Sequence, residues 1–112
     1  MQTTTIGRLA EDAVVDFLQN SDYDIIARNW KTRTCEVDII AYKKQRLHFV
    51  EVKYRSRLGQ GIGFDYIDTR KLRRMEYAAQ LWVCKHNWYG EYVLSGASVV
   101  GIDYEVSFIA QI

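Results

Sequence analysis

Two carboxylates and an amine stand out by type and spacing: Asp38, then, thirteen residues on, Glu51 followed by Val52 and Lys53. Carboxylate oxygens are hard ligands that suit Mg²⁺ or Mn²⁺ rather than zinc, and the backbone carbonyl of Val52 offers a further oxygen. A divalent cation held this way makes a water nucleophilic and stabilises extra negative charge on phosphorus-bound oxygens. A lysine beside it orients or helps deprotonate that water, or offsets charge on the phosphate, and the neighbouring cation lowers its basicity. Metal-dependent hydrolysis of a phosphodiester is the chemistry these residue types suit.

Residues so far apart in sequence need an element that brings them together. The runs 35–42 and 46–54 are short and rich in β-branched and aromatic residues, and only a polar stretch separates them. They read as a β-hairpin. The connection lacks the Asn-Gly or Asp-Gly pair of a tight two-residue turn, so a four-residue loop centred between Lys44 and Gln45 is expected. In that register paired residue numbers sum to 89, so Asp38 faces Glu51, Glu36 faces Lys53, Val37 faces Val52 and Ile39 faces Val50. All four charged residues fall on one face and the four apolar ones on the other. Directly opposed Cβ atoms lie roughly 4.5–5.5 Å apart, close enough for two carboxylates to share a cation. Glu36 with Lys53 reads as an ordinary solvated pair. Asp38 with Glu51 is a like-charge pair that destabilises a hairpin unless a cation, a proton or a lysine compensates.

Elsewhere, Ile6, Leu9, Ala10, Ala13, Val14, Phe17 and Leu18 recur at helical spacing behind threonines 3 to 5 that offer an N-cap. Glu11 lies along the edge of that stripe, able to look inward; an acid favoured by the helix dipole is the plainer alternative. A second helix is expected from a cap at Asp65 or Asp68 to about Val83, burying Leu72, Met75, Ala79 and Trp82. Arg70, Arg73 and Arg74 project from another side, with Tyr66 and Tyr77 near enough to stack on an exposed base, and Lys71 at the margin points toward the hairpin. A solvated arginine face is the bland reading of that run. Residues 23–29, 91–94, 98–102 and 106–110 read as further strands, with a turn at Asp103-Tyr104. Helix, three strands, helix and strands make an α/β sandwich around a mixed central sheet.

With 112 residues, 48% hydrophobic content and no proline, the chain reads as a single domain over 1–112. No apolar stretch approaches the length of a membrane span and the first residues do not begin a signal peptide, so a cytoplasmic protein is expected. Cys35 and Cys84 are then reduced thiols, and Cys84-Lys85-His86 lacks the second half of a zinc site. The net charge of +1 hides an asymmetry: residues 1–27 carry −4, residues 28–57 carry +6, residues 58–85 carry +2 and residues 86–112 carry −3. Positive charge gathers around the acidic hairpin and the helix after it, the footprint of a phosphate-binding face. Arg55, Arg57, Arg70, Lys71, Arg73 and Arg74 are the candidate nucleic-acid contacts. The glycine-rich run 56–63 matches neither a P-loop nor a dinucleotide fingerprint and reads as a surface connection near a bound strand.

Gly7-x-x-x-Glu11, Arg28-Asn29-Trp30, the run from Glu36 to Ala41, the run from Phe49 to Arg55, and Lys71 on the later helix together resemble the YraN-like family of bacterial proteins. That family is similar to archaeal Holliday-junction resolvases of the PD-(D/E)xK nuclease superfamily, and the resemblance runs from Gly7 to about Val100. It implies a restriction-endonuclease-like fold, with Glu11 as the first-helix acid, Asp38 and Glu51 as principal metal ligands, Lys53 as the motif lysine, and Glu36 in support. It further implies a Mg²⁺- or Mn²⁺-dependent endonuclease acting on DNA, branched or otherwise structured, as a homodimer. The alternative is a catalytically silent nucleic-acid-binding or adaptor module on the same fold. The chain departs from the family pattern at Cys35, where glycine is usual, and at Gly96-Ala97-Ser98, where an Arg-Phe-Asp segment is usual.

Overall fold

The hairpin adopts the register that its apolar alternation demands, with Ile39 opposite Val50 and pairs running through to Lys43 opposite Arg46. Its connection is tighter than expected. Lys44 and Gln45 alone form the turn, at φ 51° and 66°, the two left-handed conformations of a type I′ loop whose twist matches that of the strands. Strand twist here outweighs the absence of Asn-Gly.

A computed structural model describes residues 5–56, 64 and 66–112. Chain order is α1 (Thr5–Asn20), β1 (Asp24–Lys31), β2 (Glu36–Lys43), β3 (Arg46–Arg55), α2 (Thr69–Lys85), β4 (Glu91–Val100) and β5 (Glu105–Ile109). The strands form one five-stranded sheet in the order β1-β2-β3-β4-β5. Only β3 and β4 pair in parallel, which requires a crossover between them, and α2 supplies it. The result is the mixed sheet flanked by helices expected of a restriction-endonuclease-like fold. No helix among the described residues is long and apolar enough to cross a membrane.

Both sheet faces are covered, so the central strands carry near-continuous apolar runs. On one face Ala10, Val14, Val15 and Leu18 of α1 pack on Ile39, Ala41, Val50, Ala97 and Val99. On the other, Ala78, Ala79 and Trp82 of α2 pack on Val37, Ile40, Leu47 and Phe49. The buried stripe of α1 is rotated from the expected one. Glu11 lies within it, while Ile6, Leu9 and Phe17 are exposed, because the helix meets the sheet along positions 10, 11, 14, 15 and 18. The expected single apolar face of the hairpin also divides, Val37 joining the α2 side and Ile39 the α1 side.

Two expected strands, 91–94 and 98–102, are one. Ser95, Gly96, Ala97 and Ser98 are small residues buried mid-strand, where Phe64 and Ile67 lie so close that a Cβ on Gly96 would stand 2.9 Å from Ile67 Cδ1. Small size, not a turn, explains that segment. Asp68 caps α2, its side chain accepting from Lys71 N at 2.9 Å; Asp65, the other expected cap, lies outside the described residues, as do Arg57 and the run 57–63.

Candidate functional site

The β2–β3 ladder ends at Ile39 opposite Val50, one step before the acids. Beyond it the strands part, and Val52 donates its N–H to Asp38 Oδ2 at 2.8 Å, so a side chain takes over where a backbone carbonyl would otherwise pair. Asp38 and Glu51 both line the cleft that opens there. Burial above all, then the charge of Glu51, pushes the Asp38 carboxyl up to about 7 against the pull of the Val52 hydrogen bond; Glu11 and Glu36 add to the rise. The like-charge conflict expected of this pair is therefore present.

Compensation comes from a lysine other than the motif lysine. Lys71 Nζ lies 3.1 Å from Glu51 Oε2, from the first turns of α2. Lys53 is exposed on β3 and does not line the cleft. The expected Glu36–Lys53 opposition does not form, because the hairpin has already opened; Glu36 instead pairs across β1 with Lys31 at 3.9 Å. Tyr66 donates its hydroxyl to the Glu51 carbonyl at 3.1 Å and reaches the Ala97 carbonyl at 3.3 Å, tying the entry to α2 onto the sheet behind the acids. Burial first, and then the charges of Glu51 and Asp38, hold its phenol well above the ordinary range, so it is a neutral donor.

Glu11 is buried at 7% exposure, and its Oε1 accepts no hydrogen bond from a described residue. Burial raises its pKa; the Asn29 side chain and the Arg28 guanidinium oppose that rise. Arg28 bridges Asp12 at 2.7 Å and Glu11 at 3.8 Å. Asn29 sits in β1 between the rungs Arg28–Ile39 and Trp30–Val37, and so opposite Asp38, with a φ of 51°. A left-handed residue mid-strand is uncommon, and asparagine is among the few that tolerate it. Sequence reasoning gave Arg28 and Asn29 no role. The available signal was an asparagine inside a strand, where that residue is depleted.

An open cleft of about 580 Å³ runs from these acids between the β1–β2 connection and α2. Lys31, Thr32, Thr34, Cys35 and Glu36 form one wall, Lys71, Arg73, Arg74, Met75 and Tyr77 the other. Tyr77 OH and Thr34 Oγ1 meet across it at 3.3 Å. Of the other candidate contacts, Arg70 is exposed near the start of α2 outside the lining, and Arg55 ends β3, its carbonyl accepting from Gly101 N at 2.9 Å. Both cysteines are free thiols, Cys35 lying 3.3 Å from Thr32 Oγ1.

Among the described residues no three His, Cys, Asp or Glu side chains converge into a ready-made metal cage. The donor chemistry nonetheless fits a hard cation: Glu11 Oε1 is a buried oxygen with no hydrogen bond from a described residue, and Asp38 and Glu51 are neighbouring carboxylates whose repulsion Lys71 offsets only on the Glu51 side.

A family model described as "Uncharacterised protein family UPF0102" matches residues 10–102, spanning Glu11, the hairpin and α2. The chain is similar to a UPF0102 protein of Pseudomonas putida, 36% identical over 89 residues that cover 80% of this chain and 72% of the relative. It is 41% identical over 83 residues to a UPF0102 protein of Dictyoglomus thermophilum, covering 74% of this chain and 70% of the relative. Over the same length and shares it is 37% identical to one from Fusobacterium nucleatum. With the matched span holding strands β1 to β4 and the acidic cleft, this chain belongs to the UPF0102, or YraN-like, family.

Proposed function

We propose that this protein is a metal-dependent DNA endonuclease. The observation that carries the reading is Asp38, half-buried beside Glu51 with its carboxyl pushed up to about 7, in a cleft also lined by Lys31, Lys71, Arg73 and Arg74. A purely structural pair of this kind is costly, whereas a site that takes up a cation uses it.

Asp38 and Glu51 would hold a Mg²⁺ or Mn²⁺ ion, with Glu11 reaching it directly or through a water. When bound, the ion activates water and stabilises charge on the phosphate. The chain's own residues do the rest. The Val52 N–H fixes Asp38 through Oδ2, and Lys71 fixes Glu51 through Oε2. Arg28 and Asn29 favour the charged form of Glu11. Arg73 and Arg74 would draw the phosphodiester into the cleft, and Lys53, on the strand face of Glu51 by alternation though outside the cleft lining, would orient the attacking water. Action on branched or structured DNA by a homodimer in the cytoplasm completes the reading and follows the resolvase resemblance.

The test is Mn²⁺ titration by calorimetry, followed by nicking assays on branched and linear DNA with Asp38→Ala as control. Metal binding and cleavage that are both lost in Asp38→Ala support the enzyme; no metal binding overturns it. Metal binding without cleavage of any substrate favours the silent nucleic-acid-binding module, a reading supported by the Lys71 ion pair that already occupies Glu51.

A further inference from the structure

The cleft has features that a site for the sugar-phosphate backbone alone does not need. Tyr77 is 50% exposed and makes no ring contact with any described residue, while its hydroxyl is pinned to Thr34 on the opposite wall. A ring held at its far end is an oriented, unused stacking face. Arg73 and Arg74 lie four and three residues before it, on the same side of α2. Neither arginine forms an ion pair with a described residue, in contrast to Lys71 and Lys31 in the same lining. One wall thus offers an aromatic face beside two available guanidinium groups, and the acids lie at the base.

Base faces inside a duplex are covered by their neighbours, so an aromatic platform finds a partner only where a base is unpaired and unstacked. The cleft is also of the size that takes one small-molecule-sized unit. We propose that the cleft is a subsite for an unpaired nucleotide: its base stacks on Tyr77, its flanking phosphates are held by Arg73 and Arg74, and the substrate is a DNA strand single-stranded at the point of contact. The proposal rests on the nuclease reading, since it places that strand against Asp38 and Glu51, but strand preference is measurable without cleavage.

Binding is read by fluorescence anisotropy with the full chain in EDTA. The probes are a labelled oligothymidylate, a blunt duplex of equal length, and the same duplex with a splayed single-stranded end. Single-stranded and splayed probes bind about tenfold more tightly than the blunt duplex, and Tyr77→Ala removes about tenfold of that affinity, the worth of one stacked base. Tyr77→Phe, which keeps the ring, retains most of it. Arg73→Ala weakens all three probes and flattens their salt dependence. Circular dichroism melts confirm that each variant folds. Equal binding of duplex and single strand, or an unchanged affinity in Tyr77→Ala, overturns the subsite. Such a result alongside Mn²⁺-dependent cleavage overturns the subsite alone; strand-selective binding without cleavage in Mn²⁺ overturns the nuclease reading alone; no binding to any probe together with no cleavage in Mn²⁺ overturns both.

Discussion

Three residues apart on β3, His48 and Glu51 belong to polar clusters on opposite faces of the sheet, and the clusters are built by opposite rules. His48 is buried with its Nδ1 at 2.9 Å from Ser95 Oγ and 3.2 Å from the Ala110 carbonyl, and Tyr23 meets its ring edge-on at 5.1 Å. Burial lowers its pKa, against the Ala110 hydrogen bond that pulls the other way, and both polar neighbours are engaged. At Asp38 burial and a like charge oppose the ionised form instead, and Glu11 nearby keeps a buried oxygen without a hydrogen bond from any described residue. A satisfied buried polar group locks a fold, whereas an unsatisfied acidic one stores a demand that a ligand or proton meets.

Substitutions on each side should therefore move stability in opposite directions. The largest effect is expected for His48→Ala, which opens a cavity beside Tyr23 and Phe108 and removes one of the two hydrogen-bond partners of Ser95, leaving the Ala110 carbonyl. It should cost about 3–5 kcal/mol in urea denaturation. Gain or neutrality there would erase the contrast.

Next comes Asp38→Asn, which should stabilise the metal-free protein at pH 8 by on the order of 2–4 kcal/mol while abolishing metal-dependent cleavage. The sign follows from protons: a folded-state pKa of about 7 against the ordinary 3.8 means the folded chain holds the extra proton. Stability therefore falls as pH rises from about 4 to 7, and the gain from asparagine vanishes near pH 4. His48 runs the other way: its lowered pKa means stability is lost as pH falls below the ordinary histidine value. Thermal melts across pH, with and without Mn²⁺, check both. At pH 8 Mn²⁺ should raise the melting temperature of the native chain and leave that of Asp38→Asn unmoved.

A smaller loss is expected for Lys71→Met. It removes the partly exposed ion pair with Glu51 and should cost about 1 kcal/mol or less in metal-free buffer. Because the acid pair is then less neutralised, Mn²⁺ should stabilise this variant more than the native chain, which a melt at fixed Mn²⁺ reads directly.

The sheet and the hairpin register were legible because strand alternation leaves few choices: Ile39 opposite Val50 is the pairing expected, and its extension points Asp38 toward Glu51, although the ladder stops one step short of them. The parallel run of β4 was harder to read, since Gly96 within the buried Ser95-Gly96-Ala97-Ser98 segment answers to close packing by Phe64 and Ile67, which no local pattern encodes. The rotation of α1 escaped for a related reason. Ile6 and Leu9 fit a helical stripe as well as the residues that are buried, and only the approach of the helix to the sheet decides between them. Asn29 at positive φ and the parting of β2 from β3 are tertiary outcomes, where a side chain replaces a backbone partner.

That replacement gives the site an internal reporter. Because the Val52 amide donates to Asp38 rather than to a carbonyl, its proton and nitrogen resonances follow the charge on one carboxylate. In a ¹H–¹⁵N titration of the metal-free chain the Val52 cross-peak should shift with a midpoint near the Asp38 value of about 7, while amides paired within the ladder, such as that of Phe49, stay still. A cation at the acids should move that midpoint downward. A single backbone resonance thus reads both the proton and the metal at the centre of the cleft.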